Sequence, residues 1–359
     1  MTDLLELCAQ LVDIPSVSHH EEALAGYVEK ELRAVPWLDV TRVGSNVVAR
    51  TQLGKAQRLV LAGHLDTVPP NQNDRARIDG DVLWGLGSAD MKAGLAVLLE
   101  LARTVAEPAV DATYVFYECE EVAQEHNGLV KLFAGRPDLL AADAAVLAEP
   151  TGAVVEAGCQ GTFRVRITLG GSRAHTARAW MGVNAIHRLG RVLERLAVYE
   201  GRRPVLSGCE FREAVQAVAV GGGVAGNVVP DRAEVIVNHR FAPDRDGDTA
   251  LAHVRDVLGD TVEEQAGDTV ELLDMSAPAP PALDHPLLQG LVDATGQPPR
   301  AKLGWTDVSF FAAHGVPATN FGPGDPNLAH SRDERVDRAQ LERVHAVLQN
   351  LLAAPNLRQ

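Results

Sequence analysis

The chain has 359 residues, 46% hydrophobic and 23% charged, with a formal net charge of −15 at pH 7. That length favours two domains over one core, and the acidic balance argues against nucleic-acid binding, which needs a basic face. No run of about 18 apolar residues occurs, so no membrane span is expected. The start MTDLLELCAQLVDIPS is acidic and lacks the basic region of a secretory signal. Cys8, Cys119, Cys159 and Cys209 stand far apart with no CxxC pair, which fits a reducing cytoplasm and not a thiolate zinc site.

In chain order, residues 4–12 and 21–32 carry helical apolar spacing, and Glu21 and Glu22 suit a first helical turn. Short β-rich runs follow at 46–50, 59–62, 112–117 and 144–147, with an amphipathic helix at 91–105 between two of them. Strands alternating with helices predict an α/β layer around a largely buried sheet. Such sheets bind ligands on the loops at their strand ends. From Gly161 the pattern changes. Residues 162–169 alternate strictly, a helix is expected at 183–198, strands at 214–220 and 233–241, a helix at 248–258 and a strand at 269–273. That order is β-α-β-β-α-β, the split βαβ or ferredoxin-like plan. The segment SAPAPPALDHP at 276–286 reads as a linker. The expectation is therefore an inserted domain, 161–276, that splits a catalytic domain made of 1–160 and 277–359.

Five residues occupy distinctive settings: His64 in GHLDTVPP, Asp90 in GLGSADMKAG, Glu121 in ECEEV, Glu149 in LAEPT and His330 in GPGDPNLAHSRDE. Two imidazoles and three carboxylates can hold two divalent ions if one carboxylate bridges. Ions about 3.5–4 Å apart can then polarise a carbonyl and activate a water. Taken singly, each residue has an ordinary alternative. His64 would be a turn histidine, Asp90 a helix N-cap, the glutamates at 118–121 a solvated strand end, and Glu149-Pro150 a turn. The local context favours ligands. Asp66 stands two residues after His64, where it can receive the second ring N–H. Glu120 and Glu121 point apart, so one can ligate while the other meets the water, and the spacing leaves either order open. Pro150 biases Glu149 towards an extended conformation. The glycine-rich loop before Asp90 lacks the GK[ST] ending of a phosphate loop. Glu118 reads as structural, and Lys92 as local support.

Together the five settings resemble the M20 family of dinuclear zinc amidohydrolases, over essentially the whole chain. The resemblance implies a zinc-peptidase-like three-layer α/β catalytic domain with an inserted ferredoxin-like α+β dimerisation lid, and a homodimer. It also implies two Zn2+ ions, with Co2+ or Mn2+ able to substitute. Carried over residue by residue, His64 and Glu149 hold one zinc, Glu121 and His330 hold the other, and Asp90 bridges. Glu120 matches the general base, Asp66 the carboxylate that orients His64, and the Asp90–Met91 peptide is expected to be cis. His175 in GGSRAHTARAW matches a lid histidine that enters the partner's active site and stabilises an oxyanion. Asn227 in GNVVPD and Arg240 in NHRFAPD match positions that hold substrate carboxylates.

The stretches AGCQGTFRVRITLGGSRAHTARAWMGVNAIHR, GWTDVSFF and FGPGDPNLAHSRDERV are most similar to one branch of the desuccinylases. That resemblance implies hydrolysis of N-succinyl-LL-2,6-diaminopimelate to succinate and LL-2,6-diaminopimelate, in lysine and peptidoglycan synthesis. Acetylornithine deacetylases, aminoacylases and carboxypeptidases of the family share the metal site and are the alternatives. Two departures from the better-known branch of the desuccinylases fall in the expected substrate pocket. In that branch an Arg stands at the position matching Cys159, and a Tyr at the position matching Arg178. Arg178 is thus expected to carry the positive charge that pairs with a substrate carboxylate. A metal-binding protein without activity would need neither Glu120 nor His175. The remaining histidines, such as His19, His20, His126, His187, His239 and His314, are assigned to surface or packing.

Overall fold

The computed structural model describes residues 3–353; positions 1–2 and 354–359, the outermost of the expected catalytic domain, lie outside the described residues. The chain forms two compact units. One holds the residues up to Gly158, then Pro281–Ala301 and Thr306 onward; the other is Cys159–Pro280 with Lys302–Trp305. The short stretch 302–305 joins the second unit because Gln160 N–H donates to Lys302 O at 3.3 Å and Trp305 Nε1 donates to Ala277 O at 2.9 Å.

The first unit is built on an eight-stranded mixed sheet. Its spatial order is Asp39–Val43, Asn46–Arg50, Asp111–Tyr117, Arg58–His64, Ala144–Leu147, Ala318–Asn320, Glu156–Ala157 and Arg300–Ala301. The four strands from Asp111–Tyr117 to Ala318–Asn320 run parallel. Every residue of Asp111–Tyr117 and Ala144–Leu147 is buried. A strand buried on both faces needs cover on both, which explains why these runs read as continuously apolar and not alternating. Helix Lys92–Thr104 supplies much of that cover and buries even Lys92 and Glu100. Lys92 Nζ donates to Ile14 O at 2.8 Å, which is local support as expected. Gly94 permits the helix to lie close, because a Cβ there would collide with the Ala148 carbonyl. A second, three-stranded sheet pairs Val82–Trp84 with Arg77–Asp79 on one side and Arg335–Asp337 on the other.

The second unit has the expected plan. Strands Ala214–Gly222, Arg232–Phe241, Gly161–Gly170 and Thr269–Ser276 lie in that order, antiparallel throughout. Helices Ala185–Ala197 and Gly247–Leu258 share one hydrophobic core with the sheet, in which Phe163, Val165, Ile167 and Leu169 meet Leu189, Val192, Ala250 and Val254. Sequence order strand, helix, strand, strand, helix, strand gives the split βαβ arrangement.

His239 sits against this core with no exposed surface, and the Phe163 and Phe241 rings lie 5.2 and 5.6 Å from its own. Burial pushes its pKa down to about 4, against partial opposition from Glu213. The unfolded chain therefore binds a proton that the folded chain refuses between that value and about 6.5. Stability from neutral His239 is fully present above about pH 6.5 and is lost as pH falls towards 4. At pH 5 the loss from this one group is about 2 kcal/mol. His239→Leu should reduce the difference in urea-unfolding free energy between pH 7 and pH 5 by about that amount. An unchanged difference would contradict the assignment.

Candidate metal centre

Three adjacent parallel strands deliver most of the candidate ligands. His64 is the last residue of Arg58–His64, Glu120 and Glu121 follow Asp111–Tyr117, and Glu149 follows Ala144–Leu147. The register pairs His64 with Tyr117 and Ala62 with Leu147, so the three loops leave the sheet at one edge. Asp90 arrives from the glycine-rich loop before helix Lys92–Thr104, and His330 from the segment ahead of strand Arg335–Asp337. Asp90 is not a helix cap: Met91 occupies the N-cap position, and no side chain bonds the first turn. The Asp90–Met91 peptide is cis.

Ligand atoms of His64, Asp90 and Glu149 lie within 4.8 Å of one another, as do those of Asp90, Glu121 and His330, and those of His64, Glu120 and Glu121. Asp90 belongs to the first two sets. Its Oδ1 lies 3.2 Å from His64 Nε2, and its Oδ2 lies 3.6 Å from His330 Nε2. Each oxygen thus faces a different imidazole. Glu121 Oε1 is 2.8 Å from His330 Nε2. His64 is 1% exposed and His330 is 49% exposed, so the cluster opens to solvent on the His330 side.

Asp66, fully buried, organises the loop that holds the glutamates. Its Oδ1 accepts the Glu120 N–H at 2.9 Å, and its Oδ2 accepts the Glu121 N–H at 3.0 Å and the Ser18 hydroxyl at 2.7 Å. His64 Nδ1 lies 3.0 Å from the Asp66 main-chain oxygen and 3.5 Å from its Oδ1. The nearer acceptor for the histidine is therefore the backbone, while the carboxylate holds the amides of both glutamates. Glu118 faces away from this cluster, paired with Lys131 at 2.7 Å and accepting the Ser45 N–H at 3.0 Å.

The electrostatics are those of crowded carboxylates. Burial, then the charge of Asp307, raises the Glu120 pKa well above the usual carboxylate range, with Glu149 and Glu121 adding to the effect and His64 opposing it. Burial pushes Asp307 up to about 6, against a bond from Asn127, whose Nδ2 donates to Asp307 Oδ2 at 2.9 Å. Burial opposes charge on His64, but Asp66 and Asp90 outweigh it and hold the ring well above its ordinary pKa. Asp90 and Glu121 raise His330 to about 10. The donor set fits divalent cations: oxygen and imidazole nitrogen atoms converge, and the cationic partners of Asp90 are both ring nitrogens that a metal would replace.

Three residues near the cluster were assigned no role from the sequence. Asp307 and Asn127 form a buried pair behind Glu120, and Glu334 binds the loop of Asp90. Asp307 lies in the GWTDVSFF stretch and Glu334 four residues after His330 in HSRDE, whereas Asn127 had no such signal. In the second unit, His175 is exposed and its Nδ1 accepts the Ala177 N–H at 3.0 Å. Arg178 and Asn227 are exposed beside it, since Thr176 N–H donates to Asn227 O at 3.0 Å and His175 bridges to Val228. Arg240 is half-buried near the other end of the Arg232–Phe241 strand, opposite Thr162. At about 3.4 Å per residue, roughly 30 Å of strand separates it from the Asn227 end. The structure thus gathers His175, Arg178 and Asn227 within one chain and leaves Arg240 apart from them.

Asp66→Ala should remove three hydrogen bonds at once and leave two backbone N–H groups and the Ser18 hydroxyl without an acceptor. At about 1–3 kcal/mol for each buried group left unsatisfied, the variant should lose at least ~3 kcal/mol in urea unfolding. Asp66→Asn, which keeps one oxygen, should lose less. Wild-type stability in the alanine variant would contradict the organising role.

Comparison with known proteins bears on the whole chain. Residues 60–354 match peptidase family M20/M25/M40. A Mycobacterium tuberculosis protein named putative succinyl-diaminopimelate desuccinylase DapE is 54% identical over 335 residues, 93% of each chain. The succinyl-diaminopimelate desuccinylase of Corynebacterium glutamicum is 44% identical and covers 98% of this chain and 96% of its own. The crystal structure of a Staphylococcus aureus tripeptidase aligns with a TM-score of 0.78 at 21% identity, covering 98% and 97% of the two chains. A family match over most of the chain, with relatives this similar, places the chain in peptidase family M20/M25/M40.

Proposed function

We propose that this chain hydrolyses N-succinyl-LL-2,6-diaminopimelate to succinate and LL-2,6-diaminopimelate. The substrate rests on the likeness to two relatives named for that activity, across at least 93% of this chain. The observation that carries the reaction class is Glu120, a carboxyl group held at a cluster of metal-type ligands without being needed in either of the sets that share Asp90. Two zinc ions, held by His64 and Glu149, by Glu121 and His330, and by Asp90 between them, would polarise the scissile carbonyl and lower the pKa of a water.

Glu120 is the general base. Its carboxyl group stands with His64 and Glu121 but outside both sets that share Asp90, where a carboxylate can take a proton from the attacking water and keep it until the amine leaves. The same group then protonates the leaving nitrogen. Asp66 fixes the two glutamate amides and so keeps Glu120 and Glu121 turned to their separate tasks.

The second unit is the lid and the dimer surface. Trp180, Met181 and Val183 are exposed beside the His175 loop at 80%, 69% and 51%, an apolar patch that a partner would cover. Because His175 and Asn227 lie at the opposite end of the sheet from Arg240, one substrate can meet all three only if two chains contribute. His175 of one protomer then serves as the oxyanion donor for its partner, and Arg178 and Arg240 pair with substrate carboxylates. The four cysteines are buried and form no disulfide among the described residues, in keeping with a cytoplasmic enzyme. Among the described residues, no helix is long and apolar enough to cross a membrane.

Release of free amine from N-succinyl-LL-2,6-diaminopimelate, N-acetylornithine and dipeptides, with zinc added, tests the substrate assignment. The succinylated compound should have the highest kcat/KM; preference for either of the others would overturn it. Glu120→Gln should retain its metal content and lose turnover by at least ~100-fold, and a wild-type rate would refute the base. Arg178→Ala should raise KM for the succinylated substrate about tenfold, the loss of one charge-assisted contact, with the unfolding midpoint unchanged. An unchanged KM would remove Arg178 from the pocket.

A further inference from the structure

Glu334 takes no place in any ligand set, yet it is bonded to the backbone beside one ligand and lies on the same segment as another. Its side chain is 1% exposed. Oε1 accepts the N–H groups of Ala89 and Asp90, both at 2.9 Å, and Oε2 accepts that of Gly87 at 3.0 Å. Its own carbonyl accepts the Gly85 N–H at 3.1 Å. One residue therefore collects four amides of the loop that ends in Asp90.

The segment that carries Glu334 also carries His330, four residues earlier. It is anchored on both sides of the carboxylate. Ahead of it, Asn73 Nδ2 donates to Ser331 O at 3.1 Å. Behind it, Arg335–Asp337 pairs with Val82–Trp84, and the Trp84 ring lies between Arg77 and Arg335 at 5.0 and 4.8 Å. A carboxylate buried beside Asp90 adds to an already crowded negative charge, so mere space filling would favour a neutral side chain. Three charge-assisted bonds from one loop are what such a group supplies and an apolar one does not.

On the metal-centre reading above, we infer that Glu334 is a positioning residue that fixes Asp90 and His330 in one register, so that both can hold the same cation. It touches no reacting atom and acts through the Gly87–Asp90 backbone. Groups that orient ligands from behind typically change metal affinity by about 10–100-fold when altered.

Glu334→Gln keeps the side-chain volume and leaves one acceptor oxygen for three N–H donors. Metal-stripped wild type and variant would be titrated with Zn2+ against a chromophoric chelator, and the Co2+ absorption bands recorded for each. Wild type should take up two ions. The variant should bind at least one of them tenfold or more weakly, with an altered Co2+ spectrum, while still unfolding cooperatively in the metal-free state. Glu334→Asp, which keeps the charge but draws the oxygens back by one methylene, should show the same selective loss and serves if the amide variant does not fold. Wild-type affinity for both ions in either folded variant would overturn the inference. A wild type that takes up no ion would instead defeat the metal-centre reading on which it rests.

Discussion

Buried and half-buried carboxylates repel one another, and at one edge of a parallel sheet this chain gathers Asp66, Asp90, Glu120, Glu149 and Asp307. Burial raises the cost of each charge, and proximity raises it further. The protein meets the cost in three ways. Asp66 is held charged by His64 and by two backbone amides. Glu120 and Asp307 are driven towards their protonated forms. Asp90, Glu121 and Glu149 converge with two imidazoles, where divalent cations would neutralise them. A hydrolytic centre needs all three outcomes together: a fixed frame, a carboxyl group able to carry a proton, and a ligand set.

The fold produces this arrangement by simple means. Three parallel strands in register end side by side, and their loops open at the same edge. Only Asp90 and His330 come from elsewhere, and the small sheet around Trp84 joins the segments that carry them. A stiff sheet sets most of the candidate ligands, and one buried carboxylate, Glu334, bonds the loop of Asp90 from the segment that carries His330.

Much of this was legible in the residues themselves. Strictly alternating Gly161–Gly170 and the continuous apolar runs before Glu120 and Glu149 announced their strands because burial imposes those two patterns directly. Asp90 shows how local reading misleads: by position it is a helix cap, but its oxygens face His64 and His330 and no side chain caps that helix. The Asp307–Asn127 pair spans 180 residues of sequence, and the Glu334–Asp90 bond spans 244. Neither leaves a periodic trace. The three-residue strands Arg77–Asp79, Val82–Trp84 and Arg335–Asp337 are too short to carry one. Asp66 was found through its spacing from His64, but its bonds to the Glu120 and Glu121 amides come from tertiary pairing alone.

The most direct test is an anomalous difference map at the zinc edge from a crystal grown with zinc. Two peaks about 3.5–4 Å apart, one touching His64 and Glu149, the other Glu121 and His330, and both touching Asp90, are the predicted result. A single peak, or peaks that leave Asp90 unbound, would contradict the account.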